Sequence, residues 1–179
     1  MFARMSDVLI VGGSPSENSR SSAMLRLVDQ WVREAGLATR VVSIRELPAE
    51  ALVRGDADAP GIRDSVSALA AARGVVIGTP IYKAAYSGLL KIWLDLLPQH
   101  ALTGKAVLPL ATGGSVSHLL AIDYALRPVL STLGARHVVP GYFVLESLAQ
   151  KQDDGSVVLA AEVDASLRKI VAEFVAAVR

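Results

Sequence analysis

The sequence lacks cysteine altogether, and it lacks an excess of either charge. Without cysteine, the chain of 179 residues has no disulfide bonds, thiolate nucleophiles, zinc–thiolate sites or iron–sulfur clusters. The 18 Lys and Arg residues nearly balance the 17 Asp and Glu residues, and neither sign forms a long block. The basic stripe that replaces counterions around nucleic-acid phosphates is therefore missing, and we expect no nucleic-acid partner.

Long hydrophobic runs are also absent. No apolar stretch approaches the roughly 20 residues that cross a bilayer. The opening residues, 1–7, are too short and too polar for a secretory signal. We therefore expect a cytoplasmic protein. The three histidines, His100, His118 and His137, lack the spacing of metal ligands and are assigned surface or core roles, so no metal site is expected.

The pattern of apolar residues predicts an α/β fold. The chain is 52% apolar, which at this length suffices for a single domain over residues 1–179. Short β-rich runs alternate with helical patterns, which predicts a parallel sheet with helices on both faces. The expected strands are 8–11, 41–44, 75–77, 107–111 and 138–145, and the expected helices are 20–34, 62–72, 87–97, 117–133 and 163–178. We expect a flavodoxin-like three-layer sandwich with a five-stranded parallel sheet in the order 2-1-3-4-5.

The first strand runs into a loop rich in glycine and serine, residues 12–22, inside which a helix begins. A helix start offers unpaired N–H groups and positive dipole potential, and glycines let the backbone approach a ligand closely. Neither a Gly-x-Gly-x-x-Gly fingerprint nor a P-loop is present, so the loop suits a single terminal phosphate. The candidate phosphate ligands are Ser14, Ser19, Arg20, Ser21 and Ser22. Alternatively, the serines only cap the helix and the glycines only turn the chain.

Two further loops follow the third and fourth strands, at residues 78–88 and 112–115. In a doubly wound sheet, all three loops lie at the carboxyl ends of strands, beside the topological switch point where ligands bind. Pro80 stiffens the second loop, and Tyr82 or Tyr86 either packs on a planar ligand or simply packs within the protein. Together the loops describe a site for a flat, uncharged ring that carries a phosphate. FMN fits this description.

These loops resemble the NADPH-dependent FMN reductase family, and most closely its alkanesulfonate branch. The resemblance rests on residues 79–88, 90–91, 95–98, 108–114 and 118–126, and it covers residues 8 to about 135. It implies a flavodoxin-like oligomer that reduces FMN with NADPH and passes diffusible reduced flavin to a two-component monooxygenase that desulfonates organosulfonates.

The resemblance also implies which residues hold the flavin. Ser14 and residues 19–22 would bind the phosphate. The ring would be lined by Pro80, Ile81, Tyr82, Lys83, Thr112, Gly113, Gly114 and Ser115. Many relatives carry an arginine where Ser16 stands, so the positive charge for the phosphate would rest mainly on Arg20.

The helical segment around Tyr124 predicts both an interface and an irregular backbone. One apolar stripe consists of Leu119, Ile122, Leu126, Val129, Leu130 and Leu133, and the opposite side carries Leu120, Ala121, Tyr124 and Pro128. Pro128 cannot donate to the carbonyl of Tyr124 and crowds it, so a kink or π-bulge is expected. In the resembling branch, a π-helix at this tyrosine is thought to couple the subunit interface to flavin transfer. Tyr124 therefore either packs between subunits or takes part in catalysis.

The apolar helix 87–97 indicates a second covered surface, and we expect a homo-oligomer, either a dimer or a tetramer.

Hydride transfer to flavin depends on ring alignment more than on a side-chain base, so the absence of a catalytic triad does not count against an oxidoreductase. Lys83 is the candidate for stabilising negative charge near flavin N1. Three alternatives stay open: an NAD(P)H:quinone or azo reductase with bound FMN, a non-catalytic flavodoxin-like electron carrier, and an assembly module that binds no flavin. No dinucleotide motif separates NADPH from NADH.

Overall fold

The structure is a computed structural model that describes residues 6–179. Residues 1–5 lie outside the described part of the chain. The expectation that no secretory signal is present and the assignment of residues 1–179 to one domain both fall partly on these residues, and both stay predictions. Within residues 6–179, no helix is both long enough and apolar enough to cross a membrane.

A parallel sheet forms the middle layer of the fold. In chain order the strands are β1 (Val8–Gly12), β2 (Thr39–Ser43), β3 (Gly74–Tyr82), β4 (Ala85–Tyr86), β5 (Ala106–Gly113), β6 (His137–Val138), β7 (Tyr142–Leu145), β8 (Ala149–Lys151) and β9 (Val157–Leu159). The α-helices are α1 (Arg20–Glu34), α2 (Ala49–Arg54), α3 (Pro60–Ala71), α4 (Gly88–Asp95), α5 (Arg127–Thr132) and α6 (Ala161–Val178).

The sheet order is β2-β1-β3-β5, followed by β6 and β7, which both pair in parallel with β5. The flavodoxin-like α/β architecture is thus confirmed, but the strand count and order differ slightly from the predicted five strands in the order 2-1-3-4-5. The fifth position is divided because Pro140, which has no N–H to donate, lies between β6 and β7. Two pairings were not predicted: β4 folds back antiparallel on β3, and β8 with β9 forms a separate hairpin.

The continuous apolar run in β1 is explained by burial on both faces of the sheet. Successive side chains of a strand point to opposite faces. Val8 and Ile10 therefore lie in the core formed with α1 and α6, whereas Leu9 and Val11 lie in the core formed with α3, α4 and α5. All four side chains are fully buried.

Four of the five predicted helices agree with the structure to within two residues at each end. Helix α1 has the predicted bounds, with the hydroxyl of Ser19 accepting the Ser22 N–H at 3.0 Å. Helix α2, with 6 residues, was not predicted. The expected helix 117–133 is instead three segments: a 3₁₀ turn (Val116–His118), a π-helical turn (Ile122–Leu126) and α5. The expected π irregularity before Pro128 is confirmed.

Asp7 joins the starts of three strands. Its carboxylate accepts the Ala38 N–H at 2.8 Å and an Arg73 guanidinium N–H at 2.7 Å. The backbone carbonyl of Asp7 also accepts the N–H of Gly74 at 3.1 Å. The pKa of Asp7 is lowered, first by the hydrogen bond from Ala38 and then by the one from Arg73.

We predict that Asp7→Asn lowers the free energy of unfolding by about 1 kcal/mol at neutral pH, because the charge-assisted hydrogen bonds are weakened. Since the folded-state pKa is lowered, this stabilisation is present above the unfolded pKa of about 3.9 and is lost as the pH falls through the folded pKa. Urea unfolding of both proteins at several pH values measures the difference. A difference that stays constant into strong acid would contradict this assignment.

Candidate functional site

The three predicted loops leave the same edge of the sheet. Strands β1, β3 and β5 are parallel neighbours, with Gly12 in register with Gly78 and Pro80 in register with Thr112. The chain goes from β1 to one side for β2 and then to the other side for β3, so the loops after β1 and β3 flank the topological switch point. The predicted meeting of the loops at this edge is confirmed.

The first loop gathers serine hydroxyls around the start of α1. The hydroxyl of Ser19 donates to Ser22 Oγ at 2.8 Å and lies 3.1 Å from Ser21 Oγ. Ser14 is buried, and its hydroxyl accepts the Ser16 N–H at 3.2 Å. Ser19 does cap the helix, as the simpler interpretation requires. The N–H groups of Arg20 and Ser21 nevertheless have no acceptor inside the helix, so the hydroxyls surround a helix start that suits an anion.

Arg20, the predicted phosphate cation, is paired with a carboxylate that the sequence reasoning missed. Its Nη1 lies 3.4 Å from Glu146 Oε2, and its Nε donates to the Ala149 carbonyl at 3.1 Å. Both charged side chains are 39% exposed. No sequence signal indicated this pair because the partners are 126 residues apart and belong to elements without a shared motif. The role of Arg20 in phosphate binding stays a prediction.

The hairpin of β8 and β9 is tied to the same loop. Lys151 Nζ donates to the Asn18 carbonyl at 3.0 Å, and Arg26, on α1, donates to the Gly155 carbonyl at the tip of the hairpin. With the Arg20–Ala149 hydrogen bond, three cationic side chains join the hairpin to α1 and to the first loop.

The second loop is a hairpin rather than an irregular segment. Pro80, Ile81 and Tyr82 extend β3, and Lys83 and Ala84 form a two-residue turn with φ of 50° and 65°. Such turns favour Asn-Gly, so the Lys-Ala pair carried no signal for them. A left-handed backbone at each of these residues costs roughly 1–2 kcal/mol. The turn holds exposed Lys83 at the rim of the edge.

The side chains of the second loop differ in their availability to a ligand. Tyr82 is 49% exposed, whereas Tyr86 is half-buried against the core around α4. Burial raises the pKa of Tyr86, with smaller opposing effects from Lys91 and Asp95, so its phenol stays neutral. The Ile81 side chain is buried among Ala111, Ala121, Ile122 and Phe143, which leaves only its backbone for a ligand. Of the two tyrosines, Tyr82 is the one able to pack on a ring.

The third loop carries a glycine, Gly113, where a side chain would have no room. A Cβ at Gly113 would lie 2.9 Å from the Phe143 ring, so the backbone position requires glycine. Thr112 is buried, Gly114 is exposed, and Ser115 caps the 3₁₀ turn by accepting the Ser117 N–H at 3.2 Å. His118 was assigned no site role, yet it packs against this loop. Within residues 6–179, its Nδ1 is the one buried side-chain nitrogen or oxygen without a hydrogen-bond partner.

Ser87 connects the first and second loops. Its hydroxyl donates to the Gly13 carbonyl and accepts the Leu90 N–H at 3.1 Å, while its own N–H donates to Thr79 Oγ1 at 3.0 Å. Gly13 N–H donates to the Gly78 carbonyl at 2.8 Å. The sequence reasoning placed Ser87 at a helix start and missed this link, which only the pairing of β1 with β3 creates.

An exposed apolar surface lies beside the site. We name it the Tyr124 patch, and it consists of Val116, Leu119, Leu120 and Tyr124. Tyr124 is 78% exposed, in agreement with its expected outward side. Two expectations were wrong: Leu119 is exposed and Ala121 is buried. The 3₁₀ and π-helical turns change the residues per turn, so a constant helical period misassigns these two positions.

The predicted homo-oligomer stays a prediction. The apolar surface of α4 is covered largely by its own chain, with Leu90, Trp93 and Leu94 buried. Lys91 and Asp95 form an ion pair at 2.7 Å on the outer side, and the Asp95 hydrogen bond raises the pKa of Lys91. Helix α4 therefore gives less reason to expect a second copy than the Tyr124 patch does.

A cleft of about 330 Å³ lies between α1 and β2. It contains Glu17 and Ser22 of the first loop, but its lining includes no residue of the second or third loop. Arg45 in this cleft lies 3.2 Å from Glu46 and 3.6 Å from Glu17. The cleft therefore does not include the predicted ring site.

The sheet order and the loops at its carboxyl edge define a flavodoxin-like α/β domain with a site suited to a phosphate-bearing ligand. A flavodoxin from Streptococcus pneumoniae superposes with a TM-score of 0.65 over 94% of this chain and 97% of its own, at 15% identity, which supports the fold alone. The model of the NADPH-dependent FMN reductase family matches residues 6–150. The chain belongs to this family.

Individual relatives agree with the family assignment. The FMN reductase (NADPH) of Pseudomonas putida KT2440 is 46% identical over 140 residues, which are 78% of this chain and 71% of that protein. The protein of the same name from Escherichia coli K12 is 44% identical over 140 residues, 78% of this chain and 73% of that protein. An NADH:FMN oxidoreductase crystallised in its apo form superposes with a TM-score of 0.86 at 40% identity, covering 96% of this chain and 89% of that one. The predicted oxidoreductase class, with FMN and NADPH, is confirmed at the level of the family.

We predict that Ser87→Ala lowers the free energy of unfolding by about 2 kcal/mol, because α4 loses its cap and the Gly13 carbonyl loses the hydroxyl that donates to it. FMN binding should also weaken several-fold, since the first loop loses an anchor. Ser67→Ala is the matched control, because it removes an exposed hydroxyl that donates to the Arg63 carbonyl on α3. Urea unfolding and flavin fluorescence titration measure both effects. Equal stability of the two variants would refute the link.

Proposed function

We propose that this protein reduces FMN with NADPH and releases the reduced flavin to a two-component flavin-dependent monooxygenase. The resemblance of its loops to the alkanesulfonate branch favours organosulfonate desulfonation as the reaction of that partner. The observation that carries the proposal is the edge of the sheet at which the serine-rich helix start meets the second and third loops. A flavin bound there would keep one ring face accessible, both to a nicotinamide and to its own exit.

Different residues would bind the phosphate and the ring of FMN. Ser14, Ser19, Ser21 and Ser22 would donate hydrogen bonds to the phosphate, with Arg20 as the cation. The ring would rest on Pro80, Ile81, Tyr82 and Lys83 from one side and on Thr112, Gly113, Gly114 and Ser115 from the other. Because Ile81 and Thr112 are buried, their backbone groups rather than their side chains would contact the ring. Bound FMN supplies the hydride acceptor, and the open face admits the nicotinamide.

Two residues, Lys83 and Tyr124, are candidates for a direct role in catalysis. Lys83 is held at the rim by the strained turn, where its ammonium would stabilise negative charge near flavin N1. Strain of this kind is retained where the surrounding structure enforces it, and such positions cluster at functional sites. Tyr124 either packs between subunits or takes part in catalysis, and both alternatives stay open. We propose that a second copy of the chain covers the Tyr124 patch.

Flavin-free protein should oxidise NADPH only after FMN is added, and anaerobic gel filtration should then separate reduced flavin from the protein. The absorbance of NADPH follows the reaction, and NADH in a parallel assay ranks the two donors. The physical reason is that an open ring site with one shared cation binds flavin weakly enough for exchange.

Each alternative has its own outcome in this assay. FMN that stays with the protein during turnover of quinones or azo compounds would favour a reductase with fixed flavin. FMN binding without NADPH consumption would favour an electron carrier. A protein that binds no flavin would be an assembly module, and the assignment of the three loops would fail.

Lys83→Ala should slow hydride transfer roughly tenfold, because one charge stabilising the developing negative charge is lost at a partly exposed position. Lys83→Arg is the matched control, since it keeps the charge and is likewise a non-glycine residue at positive φ. Anaerobic stopped-flow measurement of flavin reduction gives both rates. A wild-type rate in Lys83→Ala would remove this role.

A further inference from the structure

Glu146 lies between the first and third loops of the candidate site. It starts a 3₁₀ turn (Glu146–Leu148) directly after β7. Its Oε2 lies 3.4 Å from Arg20 Nη1, and a Cβ at Gly114 would lie 4.0 Å from the same oxygen. The Glu146 carboxylate is therefore near both the third loop and the start of α1.

The positively charged Arg20 side chain at the start of α1 already has hydrogen-bond partners within the protein. Arg20 uses Nε for the Ala149 carbonyl and Nη1 for Glu146. The neighbouring cations are directed elsewhere, with Arg26 donating to the Gly155 carbonyl and Lys151 to the Asn18 carbonyl. The remaining predicted phosphate ligands are serine hydroxyls, which carry no charge. An arriving phosphate thus meets an arginine that is already paired with a carboxylate.

We propose that Glu146 competes with the flavin phosphate for Arg20 and thereby keeps FMN weakly held and exchangeable. This inference rests on the proposed function, because it places the FMN phosphate at the start of α1. A phosphate monoester carries about −1.5 to −2 charges at neutral pH, so it and the carboxylate repel each other while both accept hydrogen bonds from one guanidinium. Glu146 is accordingly a positioning residue for Arg20, and it acts only on ligands that carry the phosphate.

Riboflavin provides the decisive comparison, because it has the same ring and ribityl chain but no phosphate. In the wild-type protein, FMN should bind less than about tenfold more tightly than riboflavin, since the phosphate gains little from a cation that is already paired. A wild-type preference for FMN of a thousandfold or more would overturn the proposal without any substitution.

The experiment is fluorescence titration of FMN and riboflavin into wild-type protein and Glu146→Gln. We expect Glu146→Gln to bind FMN roughly tenfold more tightly and riboflavin with unchanged affinity, because no carboxylate then competes with the phosphate for the Arg20 guanidinium. The gain should shrink at high ionic strength. Glu50→Gln is the matched control, since it removes the same charge from an exposed pair with Arg54 on α2 and should change neither affinity.

The route through Arg20 is tested in a second background. In Arg20→Ala, the further substitution Glu146→Gln should leave FMN affinity nearly unchanged, because no cation remains to be contested. A full tenfold gain in that background would mean direct repulsion and would overturn competition for Arg20. Equal tightening of FMN and riboflavin, or weaker FMN binding in Glu146→Gln, would also overturn it.

The failure of this inference can be told from the failure of the proposed function. If wild-type protein binds riboflavin and FMN equally well, and Glu146→Gln changes neither affinity, only this inference fails. If neither flavin binds any of the proteins, the proposed function fails with it.

Discussion

The parallel pairing of β1 with β3 is the constraint on which the site depends. It aligns Gly12 with Gly78, and the hydrogen bond from Gly13 to the Gly78 carbonyl continues the contact beyond the end of β1. The close approach leaves no room for a side chain at Gly13, where a Cβ would lie 2.8 Å from Leu90 Cβ. Ser87 then fastens α4 to the same backbone. The serine-rich helix start and the strained hairpin are thereby held together at one edge of the sheet.

Electrostatics at this edge come from elements that are distant in sequence. The hairpin of β8 and β9 and the turn after β7 provide Glu146, Ala149 and Lys151 to the first loop. The family match ends at residue 150, so most of this hairpin lies beyond it. Glu146 and Ala149, the two partners of Arg20, lie inside this match, whereas Lys151 lies just beyond it. The contacts of Glu146 and Ala149 with Arg20 limit what its guanidinium can offer a ligand.

Much of the fold was predictable because local patterns agreed with the final packing. Ser19 and the apolar face of α1 predicted the helix with its observed bounds. The run 8–11 predicted a strand buried on both faces, and Pro128 predicted the π-helical turn before it. Prediction failed where the period of the backbone changed, as at Leu119 and Ala121, and where a turn used residues that rarely form it, as at Lys83 and Ala84.

The sequence by itself determined the alternation of strands and helices, the positions of the three loops and the residue types that suit a phosphate and a flat ring. These features depend on near neighbours in the chain, whose propensities and periodicity can be read directly. Only the tertiary structure decided that Glu146 faces Arg20, that Ser87 anchors Gly13 and that Tyr86 is half-buried while Tyr82 is exposed. Contacts of this kind form when the sheet brings distant segments within a few ångströms, and no local pattern encodes which side chains then meet.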